Sequence, residues 1–185
     1  TLIDENGRVQ IPGFYDDVEE LSDREREQFS QLGFSDQEYQ EELGLKALAG
    51  ENGYTTLERR WARPTFDING LWSGYQGEGA KTVLPAKAGA KFSCRLVPNQ
   101  NPKVIQEGMK SMLEALCPDS IEMEFIALHG APGFVLSLDS PFMDAAAEAI
   151  EQGFGVRPVF GRPGGSIPGD SAFTAMLGLD TPLLG

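Results

Sequence analysis

Thr82 and Arg95 stand thirteen residues apart in GAKTVLPAKAGAKFSCRLVPNQNP, residues 79–102, on a strand-like run that leads into a helix start. An arginine presents a planar fork of donors that matches a carboxylate with two parallel bonds, and a threonine adds one hydroxyl donor. An enzyme acting on a free carboxyl-terminal amino acid or a dipeptide needs such a clamp to orient the scissile amide. A strand arginine in a surface ion pair is the plainer reading of the same residue. His129, the only histidine, closes an apolar run. Its imidazole either stabilises a strand end or donates to a substrate oxygen. The loop GRPGGSIPGD, residues 161–170, is the third candidate. Gly164 and Gly165 let a ligand approach the main chain. The loop lacks the GK[ST] ending of a phosphate cradle, so a substrate contact and a simple turn both remain open.

One histidine limits metal chemistry severely. A zinc hydrolase surrounds its metal with several His, Asp or Glu ligands and keeps one position open. This chain has no HxD and no HExxH pattern. Two cysteines, Cys94 and Cys117, make neither a disulfide framework nor a zinc knuckle, and point to a reducing, cytoplasmic setting. The 185 residues carry a net charge of −13, unevenly spread: residues 1–52 hold 14 acids against 4 bases. Such a surface repels nucleic acid and anionic lipid. No apolar run reaches 18 residues, so a membrane span finds no support.

The elements that must position these residues follow from local pattern. Residues 4–8, DENGR, and Pro12-Gly13 read as turns. Capping boxes at Ser22-x-x-Glu25 and Ser35-x-x-Glu38 predict short acidic helices over 22–32 and 35–44. Their apolar residues are sparse, which predicts surface helices, with acids that either face solvent or meet a partner. Residues 65–74 have strand composition. From Phe92 to Val97 the pattern alternates, with Phe92, Cys94 and Leu96 on one face and Ser93, Arg95 and Val97 on the other. Asn101-Pro102 is an N-cap followed by a first helical residue. Ile105, Met109, Met112 and Leu116 then line one face of a helix that stops at Pro118. Residues 121–128 alternate and predict another strand, ending at His129-Gly130. After Gly133 the character changes: an Ala-rich helix runs from Ser140-Pro141 to Gly153, followed by a short strand at 158–160 and a weak helix near 171–177. Two strands, a helix and a strand with short links predict an α+β fold, an antiparallel sheet with helices on one face, followed by a partial α/β segment.

The 79–102 block resembles the lid-domain signature of the co-catalytic zinc peptidase family that includes carnosine dipeptidase, succinyl-diaminopimelate desuccinylase and carboxypeptidase G. GRPGGSIPGD resembles a catalytic-domain loop of the same family, and HGAPGF, residues 129–134, matches a substrate-pocket histidine of its dipeptidase branch. The resemblance implies that Thr82, Arg95, His129, Gly165 and Ser166 contact substrate, with Thr82 supplied across a homodimer formed through the lid sheet. It implies residues 1–130 as a lid, or dimerisation, domain lacking its first strand and helix, and 131–185 as a fragment of the catalytic domain. It further implies a longer parent holding two Zn2+ ions and cleaving a dipeptide or N-acyl amino acid, while this chain alone binds no metal and catalyses nothing. The metal ligands, a Glu-Glu base segment and the first lid strand would then lie before Thr1, and a last histidine ligand after Gly185. Where the family has Glu after the loop arginine, this chain has Pro163, which favours a substrate without a free amino end. A non-catalytic dimerisation or binding module without metal is the other reading.

Overall fold

The computed structural model describes residues 1–162 and 176–178. They form an α+β protein with two compact units, a body made of residues 1–63 with 96 onward, and an excursion made of residues 64–95.

The body begins with a turn whose flanks meet at an Ile3–Val9 bridge. Helix α1, Asp23–Gln31, starts where the sequence places it. The Ser22 hydroxyl accepts from Glu25 N–H, and the Glu25 carboxylate returns to Ser22. At α2, Asp36–Glu42, the Ser35 hydroxyl accepts from Glu38 N–H. A third short helix, α3 (Thr56–Trp61), lies outside the sequence expectations although Thr55 and Glu58 form a complete capping box. It matters for α1, which is not a purely surface helix. Phe29 of α1 is buried with Leu21, Leu57 and Ala62, and its ring meets Trp61 edge-on at 5.1 Å.

Helix α4, Pro102–Leu116, is capped by Asn101, whose side chain accepts from Lys103 N–H. Its apolar stripe is covered only in its first half: Ile105 and Met109 are buried, whereas Leu116 is exposed. The reason is the turn at 11–14, which lies on the helix at Gly108. A Cβ there would strike the Pro12 carbonyl oxygen, so only glycine permits this approach. The buried Gln100 ties the same region together, its Oε1 accepting from Val97 N–H at 2.7 Å and its Nε2 donating to the Phe14 carbonyl. Helix α5, Pro141–Phe154, follows as predicted.

The excursion is one antiparallel hairpin, β1 (Thr65–Ser73) with β2 (Ala88–Arg95), bulged between Ile68 and Gly70. Phe66 opposes Cys94 and Ile68 opposes Phe92, and the Phe66 and Phe92 rings lie 5.5 Å apart. The predicted alternation holds through Arg95. Val97 departs from it: the strand has ended, and Val97 is buried in the body.

The structure corrects three strand expectations. Residues 121–128 form no strand, and neither do 158–160. Alternation qualifies a segment for pairing, but a strand exists only where a second segment supplies its ladder. The described sheet therefore has two strands. The run carrying Thr82 is also not strand, because β2 pairs only from Ala88, opposite the last residue of β1. The helix expected near 171–177 lies mostly outside the described residues, with only 176–177 seen as helix.

Candidate functional site

Arg95 ends β2 directly opposite Thr65 and is exposed. Among the described residues its side chain makes no hydrogen bond or ion pair, so the surface ion-pair reading of this arginine finds no acidic partner there. Thr82 lies in the exposed loop 74–87 that joins the two strands of the same unit. That loop is pinned near its start, where Tyr75 donates to the Glu78 carbonyl at 3.1 Å and Lys81 Nζ lies 4.6 Å from the Tyr75 ring centroid.

His129 belongs to the body. The segment bearing it is laid along the start of α4, with Gln106 Nε2 donating to the Leu128 carbonyl at 3.3 Å. A Cβ at Gly130 would lie 3.0 Å from Pro102 Cβ, and Gly133 bridges to Pro98. His129 itself is exposed. Gly165, Ser166 and Pro163 lie outside the described residues. Arg162, just before them, is largely buried and paired with Glu25 of α1.

The most heavily paired polar cluster was invisible to local pattern. Arg63 is buried, and its fork grips Glu51 with Nε to Oε2 at 2.8 Å and Nη2 to Oε1 at 2.9 Å. Its third nitrogen donates to Glu20 at 3.0 Å. Arg8 donates to Glu51 at 3.0 Å, Tyr54 to Glu20 at 2.7 Å, and Arg26 pairs with Glu58 at 2.9 Å. Arg63 also stacks over the Tyr54 ring at 4.1 Å. Burial opposes the Arg63 charge, but the Glu51 carboxylate outweighs it and the guanidinium is held more firmly protonated than usual. Burial, and then the bond to Glu20, push the Tyr54 phenol up to about 12. An open cleft of about 350 Å3 adjoins this cluster, lined in part by Asn6, Arg8, Glu20 and Tyr54. Among the described residues its charges are matched acid to base, so the arrangement ties the segments around residues 8, 20, 51 and 63 to one another and offers a ligand no uncompensated charge. The capping box at Thr55 and Glu58 was the one local signal pointing to this region.

On β2, Cys94 is pushed up to about 11, chiefly by burial and then by Asp67. Both cysteines are free thiols. Among the described residues no group of three or more His, Cys, Asp or Glu could hold a metal ion, and no helix is long and apolar enough to cross a membrane.

Residues 16–120 match the family of peptidase dimerisation domains, a stretch that contains both Thr82 and Arg95. The chain belongs to that family. The dimerisation-domain chain is 35% identical over 192 residues to the Cys-Gly metallodipeptidase DUG1 of Candida albicans, a match that covers 100% of this chain and 39% of that protein. It is 28% identical over 171 residues to the human Beta-Ala-His dipeptidase, covering 91% of this chain and 34% of that one. Among solved structures it resembles an M20 family metallo-carboxypeptidase from Sulfolobus solfataricus, with a TM-score of 0.80 at 33% identity over 96% of this chain and 40% of the other. Human carnosine dipeptidase 1 gives a TM-score of 0.78 at 26% identity, over 96% of this chain and 38% of the other. The dimerisation-domain chain thus spans about two fifths of the length of these relatives.

Proposed function

We propose that this chain is the lid and part of the catalytic domain of a zinc-dependent dipeptidase or N-acyl amino acid hydrolase, and that Arg95 clamps the substrate carboxylate. The observation that carries the reading is Arg95 itself: an exposed guanidinium at a strand end, without a partner among the described residues, inside the matched stretch. Similarity to a metallodipeptidase and to a metallo-carboxypeptidase supports a metallopeptidase parent. The reading assigns the two Zn2+ ions of the parent to residues other than the described ones, among which no three His, Cys, Asp or Glu side chains are grouped to hold a metal. What this chain contributes is orientation. Arg95 fixes the carboxylate, Thr82 adds a hydroxyl from the neighbouring subunit of a homodimer, and His129, Gly165 and Ser166 complete the substrate contacts. The division into a lid, 1–130, and a catalytic fragment, 131–185, and a cytoplasmic setting belong to the same reading.

Kinetics of the intact parent test it. Arg95→Ala lowers kcat/KM by an amount equivalent to about 2–5 kcal/mol when the charged pair is desolvated. Arg95→Lys is also impaired, because a point charge does not replace the fork. Near-normal kcat/KM in both variants refutes the clamp.

A second reading, a dimerisation module that acts without metal, draws on the exposed apolar residues Ile68, Leu71 and Trp72 of β1. A two-stranded hairpin is marginal by itself, and pairing with a second copy would cover such residues. Metal content and turnover of the intact parent separate the readings: a parent that binds zinc and cleaves a dipeptide refutes the module, whereas a parent that dimerises with neither zinc nor turnover refutes the hydrolase.

A further inference from the structure

One face of α1 reaches across the body to the chain that leads into the Gly-rich sequence 161–170. Arg24, Glu25 and Gln28 stand at i, i+1 and i+4, within one 100° arc of the helix. Arg24 pairs with Asp139. Gln28 Oε1 accepts from the Phe160 backbone N–H at 3.2 Å. Glu25 pairs with Arg162 Nη2. Phe29, on the flank of this arc about 40° beyond Glu25, fixes α1 to the body by packing against Trp61. Residues 157–162 have no regular structure of their own, so these tethers do work that a helix or strand ladder does elsewhere. Glu25 carries two tasks with one carboxylate. It accepts from the Ser22 N–H at 2.9 Å and the Ser22 hydroxyl at 2.8 Å while holding Arg162. Among the described residues Arg162 Nε is buried with no hydrogen-bond partner, and Glu25 is the acid that anchors this guanidinium.

We infer that α1 is the strut that fixes residues 157–162, the chain entering the Gly-rich sequence, and that Glu25 is the positioning residue that holds Arg162. Burial pushes the Glu25 carboxyl up, but the Ser22 donors and Arg162 outweigh it and the net shift is downward, so it is held as the anion that this role requires. The functional weight of the strut rests on the proposed reading of the loop as a substrate contact. The strut itself is read out without turnover, so its failure and the failure of the peptidase reading are told apart.

The test is amide hydrogen exchange of the 185-residue chain, followed by mass spectrometry of a peptide spanning 156–162, with α4 as the internal reference. Glu25→Gln accelerates exchange in 156–162 on the order of tenfold while α4 is unchanged. Arg162→Gln, far in sequence from the helix cap, does the same and keeps the test alive if the Glu25 variant folds poorly. The double variant exchanges no faster than either single one, because both remove the same bond. Ser22→Ala breaks the cap but leaves Glu25 with Arg162, so it accelerates α1 and moves 156–162 by less than about twofold. Unchanged exchange at 156–162 in Arg162→Gln overturns the inference. So does a Ser22→Ala pattern identical to that of Glu25→Gln, which would make Glu25 a helix cap and nothing more.

Discussion

Removing Arg63 tests whether the buried charge lock holds the body together. The Arg63 side chain is 5% exposed and Glu51 9%, so neither end of this pair is screened by water. Arg63→Ala deletes three hydrogen bonds to carboxylates. Taken singly, bonds to charged groups contribute about 1.5–3 kcal/mol each. The sum overstates the loss, because Glu20 is half-exposed and regains water, and Arg8 stays on Glu51 at 3.0 Å. Breaking a buried pair by removing one partner costs about 3–5 kcal/mol, and the surviving Arg8 contact places this case near 3. With a urea dependence of about 2 kcal/mol per molar, the unfolding midpoint falls by about 1.5 M. The chain has two tryptophans, so a Trp72→Phe background lets Trp61, two residues from Arg63, report on the body alone. Arg24→Ala is the control: its pair with Asp139 is mostly exposed, and its loss costs under about 1 kcal/mol. Replacing both partners, Arg63→Met with Glu51→Leu, recovers part of the loss because no buried charge is then stranded. A midpoint for Arg63→Ala no lower than that of Arg24→Ala refutes the reasoning.

Two further outcomes follow from the shifted side chains. At pH 8 the Cys94 thiol, pushed up to about 11 from the usual 9, carries about 100-fold less thiolate than an ordinary thiol and is alkylated by iodoacetamide correspondingly slowly; alkylation at an ordinary thiol's rate would show that β2 does not bury it. Tyr54 keeps its proton in the folded chain until about 12, whereas the unfolded phenol ionises near the ordinary 10. Its contribution is therefore complete below pH 10 and is lost as pH rises from 10 through 12. The Tm of the wild type falls more steeply over that window than the Tm of Tyr54→Phe, and parallel curves would contradict the assignment.

What could be read from the sequence were features closed within a few residues. Ser22 with Glu25, and Asn101 with Pro102, signal helix starts because donor and acceptor are neighbours in the chain. Phe92 to Arg95 signals a strand because its two faces differ in type, and its partner is the preceding strand-like segment in the chain. The segment 121–128 shows the limit: it alternates at first as β2 does, yet among the described residues it joins no ladder, since the second half of a ladder is a distant segment that local pattern does not contain. The lock around Arg63 failed for the same reason. Its partners are 12 and 43 residues away, and the acids that hold it sit in a segment whose composition reads as a solvated surface. The α3 helix is the exception, since its Thr55–Glu58 box is closed within four residues and is legible in the sequence. For the site, Arg95 stands on the exposed face as its strand pattern demands, while Thr82 sits in a loop because the register, set by where β1 ends, stops short of it.

The chain leaves the body after Arg63 and returns at Leu96, and the first and last strand residues of the excursion, Thr65 and Arg95, are paired partners. An insertion whose ends already meet adds little to the entropy of closing the body around it, about 0.6 kcal/mol for each doubling of its length. Lengthening, shortening or rewriting the 74–87 tip is therefore cheap for the body's fold. Natural variation in this part of the molecule can proceed by insertion and deletion, whereas the segments on either side of the junction can change only residue by residue.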